Sequence, residues 1–153
     1  MVEQTDKSAE TRQAWMGVLA RAPQDALMAL WDGLQLNPTY EWLRAPEIGG
    51  VMVRGRTGGT GAPFNLGEMT VTRCSLVLKD GTVGHGYVQG RSRDKARTAA
   101  LVDALMQTGS ADMVRAKVID PLAREMQATK TARAAKAAAT KVEFFTMVRG
   151  ENQ

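Results

Sequence analysis

Apolar residues recur at helical spacing early in the chain, at two-residue spacing in its middle, and at helical spacing again later. Trp15, Val18 and Leu19 mark the inner side of a first helix over residues 9–21, with Asp6 or Ser8 available as its cap. Pro23 suits the first turn of a second helix, where Leu27, Leu30, Trp31 and Leu34 follow the i, i+3, i+4, i+7 rule. Asn37-Pro38 breaks it. The pair reads as an αα-hairpin whose tryptophans pack in a core.

A short strand is expected over Tyr40–Arg44, stopping at Pro46, and a second over Val51–Arg56. The chain is organised around the next stretch, Arg54 to Arg91, which reads as strand, glycine loop, strand, tight turn, strand. The loop is Thr57 to Gly67, and an alternating run follows from Glu68 to Leu78. Asp80-Gly81 then predicts a two-residue hairpin turn in which both central residues take positive φ. In the return strand Val83, His85, Tyr87 and Gln89 share one face, while Gly84, Gly86 and Gly90 surround Val88 on the other. So bare a face lets a helix or a partner chain approach closely.

A third helix is expected from Asp94 through Met106, ended by Gly109. Ala111–Ile119 reads as helix, with strand as the alternative. Pro121 opens an alanine-rich helix reaching Thr140. Beyond Leu122 and Met126 it lacks large apolar residues, and Arg124, Lys130, Arg133, Lys136 and Lys141 stand against Glu125 alone. The chain then turns apolar at Val142-Glu143-Phe144-Phe145-Thr146-Met147-Val148. Either this tail returns as a strand to its own sheet or it forms an arm inserting into another subunit. Its candidate partner-contacting residues are Phe144, Phe145, Met147, Val148 and Arg149. The expected architecture is α+β, with an antiparallel sheet on a central hairpin, helices packed on it and a C-terminal helix-plus-strand arm. Residues 1–120 form the body and 121–153 the arm.

At 153 residues the chain is long enough for one cored domain. A net charge of +4 suits anionic partners without requiring nucleic acid, and 5% aromatic residues leave little for stacking on bases. The basic residues are scattered rather than clustered. One cysteine, Cys74, excludes an internal disulfide framework, and with the single histidine, His85, it is too little for a structural zinc site. Residues 1–12 carry no apolar signal-peptide core and no run approaches membrane-spanning length, so a cytoplasmic protein is expected.

Candidate chemistry is sparse. Gly58, Gly59, Thr60 and Gly61 could present backbone N–H groups to an anion, with Arg73 and Arg91 beside them, although glycine loops between strands are usually plain turns. The loop is neither a Walker loop nor a dinucleotide fingerprint, because a strand follows it. His85 is better read as a strand residue than as a base, and Cys74 as buried and inert. Glu68 and Asp94 are too far apart in sequence to name as a catalytic pair. The chain reads as a component, with a stand-alone enzyme using His85 or a small basic nucleic-acid binder as rivals.

Several segments resemble one family. They are Arg12-Gln13 with Trp15-Met16, Gly58-Gly59-Thr60-Gly61 with Phe64 and Gly67, Thr72-Arg73, Gly84, Val88-Gln89-Gly90-Arg91, Ala100 to Leu105, and the terminal Phe144-Phe145-Thr146-Met147-Val148-Arg149-Gly150. In this order and spacing they resemble the PhnG family, the G subunits of the bacterial carbon–phosphorus lyase core complex. The resemblance implies a role in phosphonate catabolism with H, I, J and L partners. There a ribose 1-methylphosphonate 5-triphosphate synthase lets a phosphonate displace adenine from ATP, giving α-D-ribose 1-phosphonate 5-triphosphate. It also implies that the I subunit carries the nucleosidase-type chemistry and the J subunit an iron–sulfur cluster used with S-adenosylmethionine. It assigns this chain no cofactor, metal or catalytic residue.

Overall fold

A computed structural model describes residues 2–141, with side chains from residue 11. Helix α1 (Val2–Arg21) and helix α2 (Gln24–Leu34) form the expected αα-hairpin, turning at Ala22-Pro23. α1 starts before residue 9, so Asp6 and Ser8 lie within it rather than capping it. No glycine or proline interrupts the chain there until Gly17. α2 ends at Gln35, which adopts φ 52° and closes onto the Asp32 carbonyl.

Strands β1 (Tyr40–Arg56), β2 (Pro63–Leu78) and β3 (Val83–Gln89) make an antiparallel sheet in the order β1-β2-β3. β1 is one strand where two were expected. Pro46 falls at a register shift between Arg44 and Glu47, on an edge strand, where the missing N–H breaks no required ladder bond. β2 likewise starts at Pro63 rather than at Glu68, so the glycine loop shrinks to Thr57–Ala62. The turn after β2 differs too. Gly81 N–H donates to Leu78 O and Leu78 N–H to Thr82 O, leaving a three-residue loop, Lys79 to Gly81. Only Gly81 takes a positive φ, 86°, because a type I turn followed by a left-handed residue needs just one such position. Asp80 stabilises it by accepting from the Thr82 N–H.

Helix α3 (Arg93–Leu105) is capped by Ser92, whose hydroxyl accepts from the Lys95 N–H. It lies on the face formed by Thr72, Cys74, Leu76, Gly84, Gly86 and Val88, all buried. A Cβ on Gly84 would run into the Ala100 carbonyl oxygen, and one on Gly86 into that of Ala96. The bare glycine face is therefore filled by the chain's own helix, and it calls for no partner chain. Gly109 does not adopt the left-handed conformation of a helix cap. The Thr108 hydroxyl instead donates to the Leu105 carbonyl as the chain leaves α3.

Residues 111–119 are helical: α4 (Ala111–Val114) runs into one π turn (Arg115–Ile119) and then α5 (Asp120–Ala139). Pro121 thus sits inside a continuous helical segment instead of opening one. The π turn just before it, with Asp120 N–H donating to Arg115 O, is where the ladder adapts to a residue that cannot donate.

Trp15, Leu19 and Leu27 join Leu76, Val88, Val102, Val118 and Leu122 in the core. Two parts of the described chain lie outside it. β3 pairs with β2 only from Val71 to Val77, so β1 and β2 continue alone as a two-stranded ribbon for roughly 20 Å. From Gln127 onward every described residue of α5 is exposed. The expected terminal strand and its residues Phe144, Phe145, Met147, Val148 and Arg149 lie outside the described residues.

Candidate functional site

A buried carboxylate sets the geometry on which any site must stand. Asp103, fully buried in α3, accepts from Arg12 Nε at 3.2 Å and Nη2 at 2.7 Å, from the Trp15 indole at 2.9 Å and from the His85 backbone N–H at 2.9 Å. Gln107 Nε2 and Arg12 Nη2 both donate to the Val83 carbonyl. α1 and α3 thereby satisfy outward-facing backbone groups of the edge strand β3. Sequence reasoning did not single out Asp103, although a carboxylate between Val102 and Ala104 in an apolar helix was the available signal.

The residues nominated as anion contacts do not meet. The Gly58–Gly61 loop caps the far end of the ribbon, and both Thr60 and Gly61 direct their N–H groups inward at the Thr57 carbonyl. Arg73 pairs with Glu47 across the sheet, at 3.7 Å, about 30 Å along β1 from that loop. Arg91 stands at the β3–α3 junction. Glu68 lies opposite Met52 in the ribbon, whereas Asp94 is on α3 and pairs with Arg97 at 3.4 Å. These two carboxylates share no site.

His85 is exposed on β3, and its imidazole pairs with no carboxylate among the described residues; only its backbone N–H reaches Asp103. Cys74 is buried, and desolvation pushes its thiol up to about 11, against a smaller opposing effect of the Gly86 backbone. No group of three His, Cys, Asp or Glu among the described residues is placed to hold a metal. An apolar groove of about 510 Å³ runs between α1 and β3, lined by Met16, Leu19, Tyr87 and Ala99. Its one described guanidinium, Arg12, is already committed to Asp103.

A second cleft, about 750 Å³, gathers more polar groups. Pro23 and Gln24, at the start of α2, face Gly90, Arg91 and Ser92, at the start of α3, and Lys95 lines its wall. The turn is pinned by Gly90 N–H to Thr70 O and by the hydroxyl of buried Thr72, which donates to Gly90 O at 2.7 Å. Gly90 takes φ 95°, a conformation that disfavours a side chain. Lys95 is only 5% exposed, and its ammonium donates to Ala20 O at 3.2 Å and Gln89 O at 3.4 Å. Burial lowers its pKa below that of an ordinary lysine.

Large apolar side chains mark a different surface. On the ribbon Met52 is 57% exposed, Phe64 44% and Leu66 66%. A two-stranded ribbon is at best marginally stable alone in water, and here apolar residues crowd it.

Comparison with known proteins agrees with the sequence segments noted above. The family model described as "Phosphonate metabolism protein PhnG" matches residues 10–150. A protein of Rhizobium meliloti (strain 1021), the alpha-D-ribose 1-methylphosphonate 5-triphosphate synthase subunit PhnG, is 42% identical over 147 residues. The match spans 96% of this chain and 94% of that protein. With both matches running nearly end to end, this chain belongs to the PhnG family of phosphonate metabolism proteins.

Proposed function

We propose that the chain is the G subunit of a ribose 1-methylphosphonate 5-triphosphate synthase and that it contributes surfaces to the assembly rather than a catalytic set of its own. In this reading the complex lets a phosphonate displace adenine from ATP, giving α-D-ribose 1-phosphonate 5-triphosphate. ATP belongs to the assembled enzyme. The iron–sulfur cluster and S-adenosylmethionine belong to the J partner, and H, I and L complete the system. The observation that carries this reading is the β1–β2 ribbon, which presents Met52, Phe64 and Leu66 with no core of its own beneath them. In this reading the exposed part of α5, from Gln127 onward, and the apolar segment 142–148 serve as a second partner-contacting surface within residues 121–153. No helix among the described residues is long and apolar enough to cross a membrane, and a water-filled compartment suits ATP chemistry.

The test is co-expression with the H, I and J partners, purification through one of them, and mass measurement of the particle. The wild-type chain is expected in the particle. A chain lacking residues 142–153, and separately a Phe64→Ser/Leu66→Ser form, should fold yet fail to co-purify. Full recovery of both variants would refute the surface role, and activity of the isolated chain with ATP and methylphosphonate would refute the accessory one.

A further inference from the structure

We propose that in the unassembled chain the groove between α1 and β3 holds the chain's own apolar tail, residues 144–148, added as an extended segment to the free edge of β3. β3 pairs with β2 through the backbone of Gly84, Gly86 and Val88, in the register set by the Leu78 N–H to Thr82 O and Gly90 N–H to Thr70 O bonds. The backbone groups of Val83, His85, Tyr87 and Gln89 therefore point away from the sheet. Side chains already satisfy several of them. Arg12 and Gln107 donate to the Val83 carbonyl, Asp103 accepts from the His85 N–H, and Lys95 donates to the Gln89 carbonyl. The His85 carbonyl and both backbone groups of Tyr87 have no partner among the described residues, and these two residues line the groove. Such an edge is a template for an added strand, with flanking pockets selecting its side chains.

The flanking surfaces suit two aromatic rings. Met16, Leu19 and Ala99 line the groove, about 510 Å³, on the helix side of the sheet. On the open face Tyr87 is 44% exposed. An extended tail turns Phe144 to one face and Phe145 to the other, so one ring enters the groove and the other lies beside Tyr87.

The tail begins within reach. Arg21 lines a cleft with Glu125, Lys130 and Arg133 of α5, and its Nε donates at 3.0 Å to the carbonyl of Gly17, which lines the groove. One side chain thus spans from α5 to the groove. From Arg133 to the end of α5 at Ala139 the helix adds about 9 Å, whereas residues 142–153 cover about 40 Å when extended. Arg21 has no ion pair among the described residues, and it stands where Glu143 would enter. A segment tethered this closely has an effective concentration of about millimolar, which favours the chain's own groove over that of another copy. The docking concerns the isolated chain. Only the further step, in which a partner's surface draws the tail out on assembly, rests on the proposed function.

The test is amide hydrogen exchange followed by NMR on the full chain. The Tyr87 N–H is expected to exchange at least about tenfold more slowly in the wild-type chain than in a Phe144→Ser/Phe145→Ser form. The His85 N–H, held by Asp103, should be equally protected in both. A Tyr87 amide that exchanges freely in the wild-type chain, or at the same rate in both forms, would overturn the docking. A photoreactive benzophenone amino acid in place of Phe145 should cross-link to Met16, Leu19 or Tyr87 of the same molecule. A cross-linked dimer would put the tail of a second copy in the groove, and adducts only at other residues would put the tail elsewhere; either overturns the proposal. Neither measurement reads co-purification with partners, so failure of the docking and failure of the subunit reading are told apart.

Discussion

The indole N–H of Trp15 donates to the carboxylate of Asp103 at 2.9 Å, joining residues 88 positions apart in the chain. Arg12 and the His85 backbone N–H complete the same carboxylate, so one buried charge ties α1, α3 and β3 together. Removing it strands four N–H donors on three residues. Asp103→Ala should cost about 3–5 kcal/mol, the usual range for breaking a buried charge pair. Arg12→Ala should be of similar order, since it leaves the carboxylate buried without its cation. Urea denaturation of the isolated chain measures both, and losses below about 1 kcal/mol would contradict the arrangement.

The contact of α3 with β3 depends on glycines with no space beside them. Gly84→Ala and Gly86→Ala should each destabilise the chain by about 2–3 kcal/mol, as overpacking against backbone oxygens does. Gly49→Ala is the control, because nothing lies within 4 Å of the added methyl. Its effect should stay within about 0.5 kcal/mol. Thermal denaturation of the three variants orders them, and equal melting points would rule out the close approach.

Cys74 supplies a pH signature. Its thiol ionises near 9.0 when unfolded and at about 11 in the native chain, because burial disfavours the thiolate. Stability from this group is therefore full below pH 9 and is lost as pH rises toward 11, by up to about 1.4 kcal/mol per pH unit. Cys74→Ala should remove that component of the alkaline slope. At pH 8 a disulfide reagent should react with the thiol only after unfolding; fast native reaction would show the residue to be accessible.

Ribbon residues should behave in the opposite way to core residues. Phe64→Ser with Leu66→Ser should change the stability of the lone chain by only about 0.5 kcal/mol, since both side chains already face water. Co-purification with partners should nevertheless fall. A large drop in the melting point of the lone chain would instead mean that the ribbon packs on its own body.

Much of the fold was legible in the order of residues. The i, i+3, i+4 stripe from Leu27 to Leu34 and the alternation from Met69 to Leu78 report local geometry, and both elements formed, although β2 starts five residues before Glu68, at Pro63. Boundaries were less legible. Pro46 reads as a strand end, yet an edge strand with a register shift tolerates it. Pro121 reads as a helix start, yet a π turn carries the helix through it. Of the candidate site, Arg91 was visible as a cation beside a glycine. Lys95 was not, because nothing local says that a lysine three residues into a helix will be buried.

The sequence by itself determined the periodicities, the need for glycine at Gly81, and membership of a phosphonate-metabolism family, since each is written in neighbouring residues or in a fixed linear pattern. Only the tertiary structure decided that the bare glycine face is closed by the chain's own α3, that Asp103 is the buried tie, that Arg73 and Arg91 stand apart, and that Lys95 and two helix starts share a cleft. The reason is distance along the chain. Arg12 and Asp103 are 91 residues apart and Lys95 and Ala20 are 75 apart, and no local pattern specifies which distant partner a polar group will meet once its helix is packed.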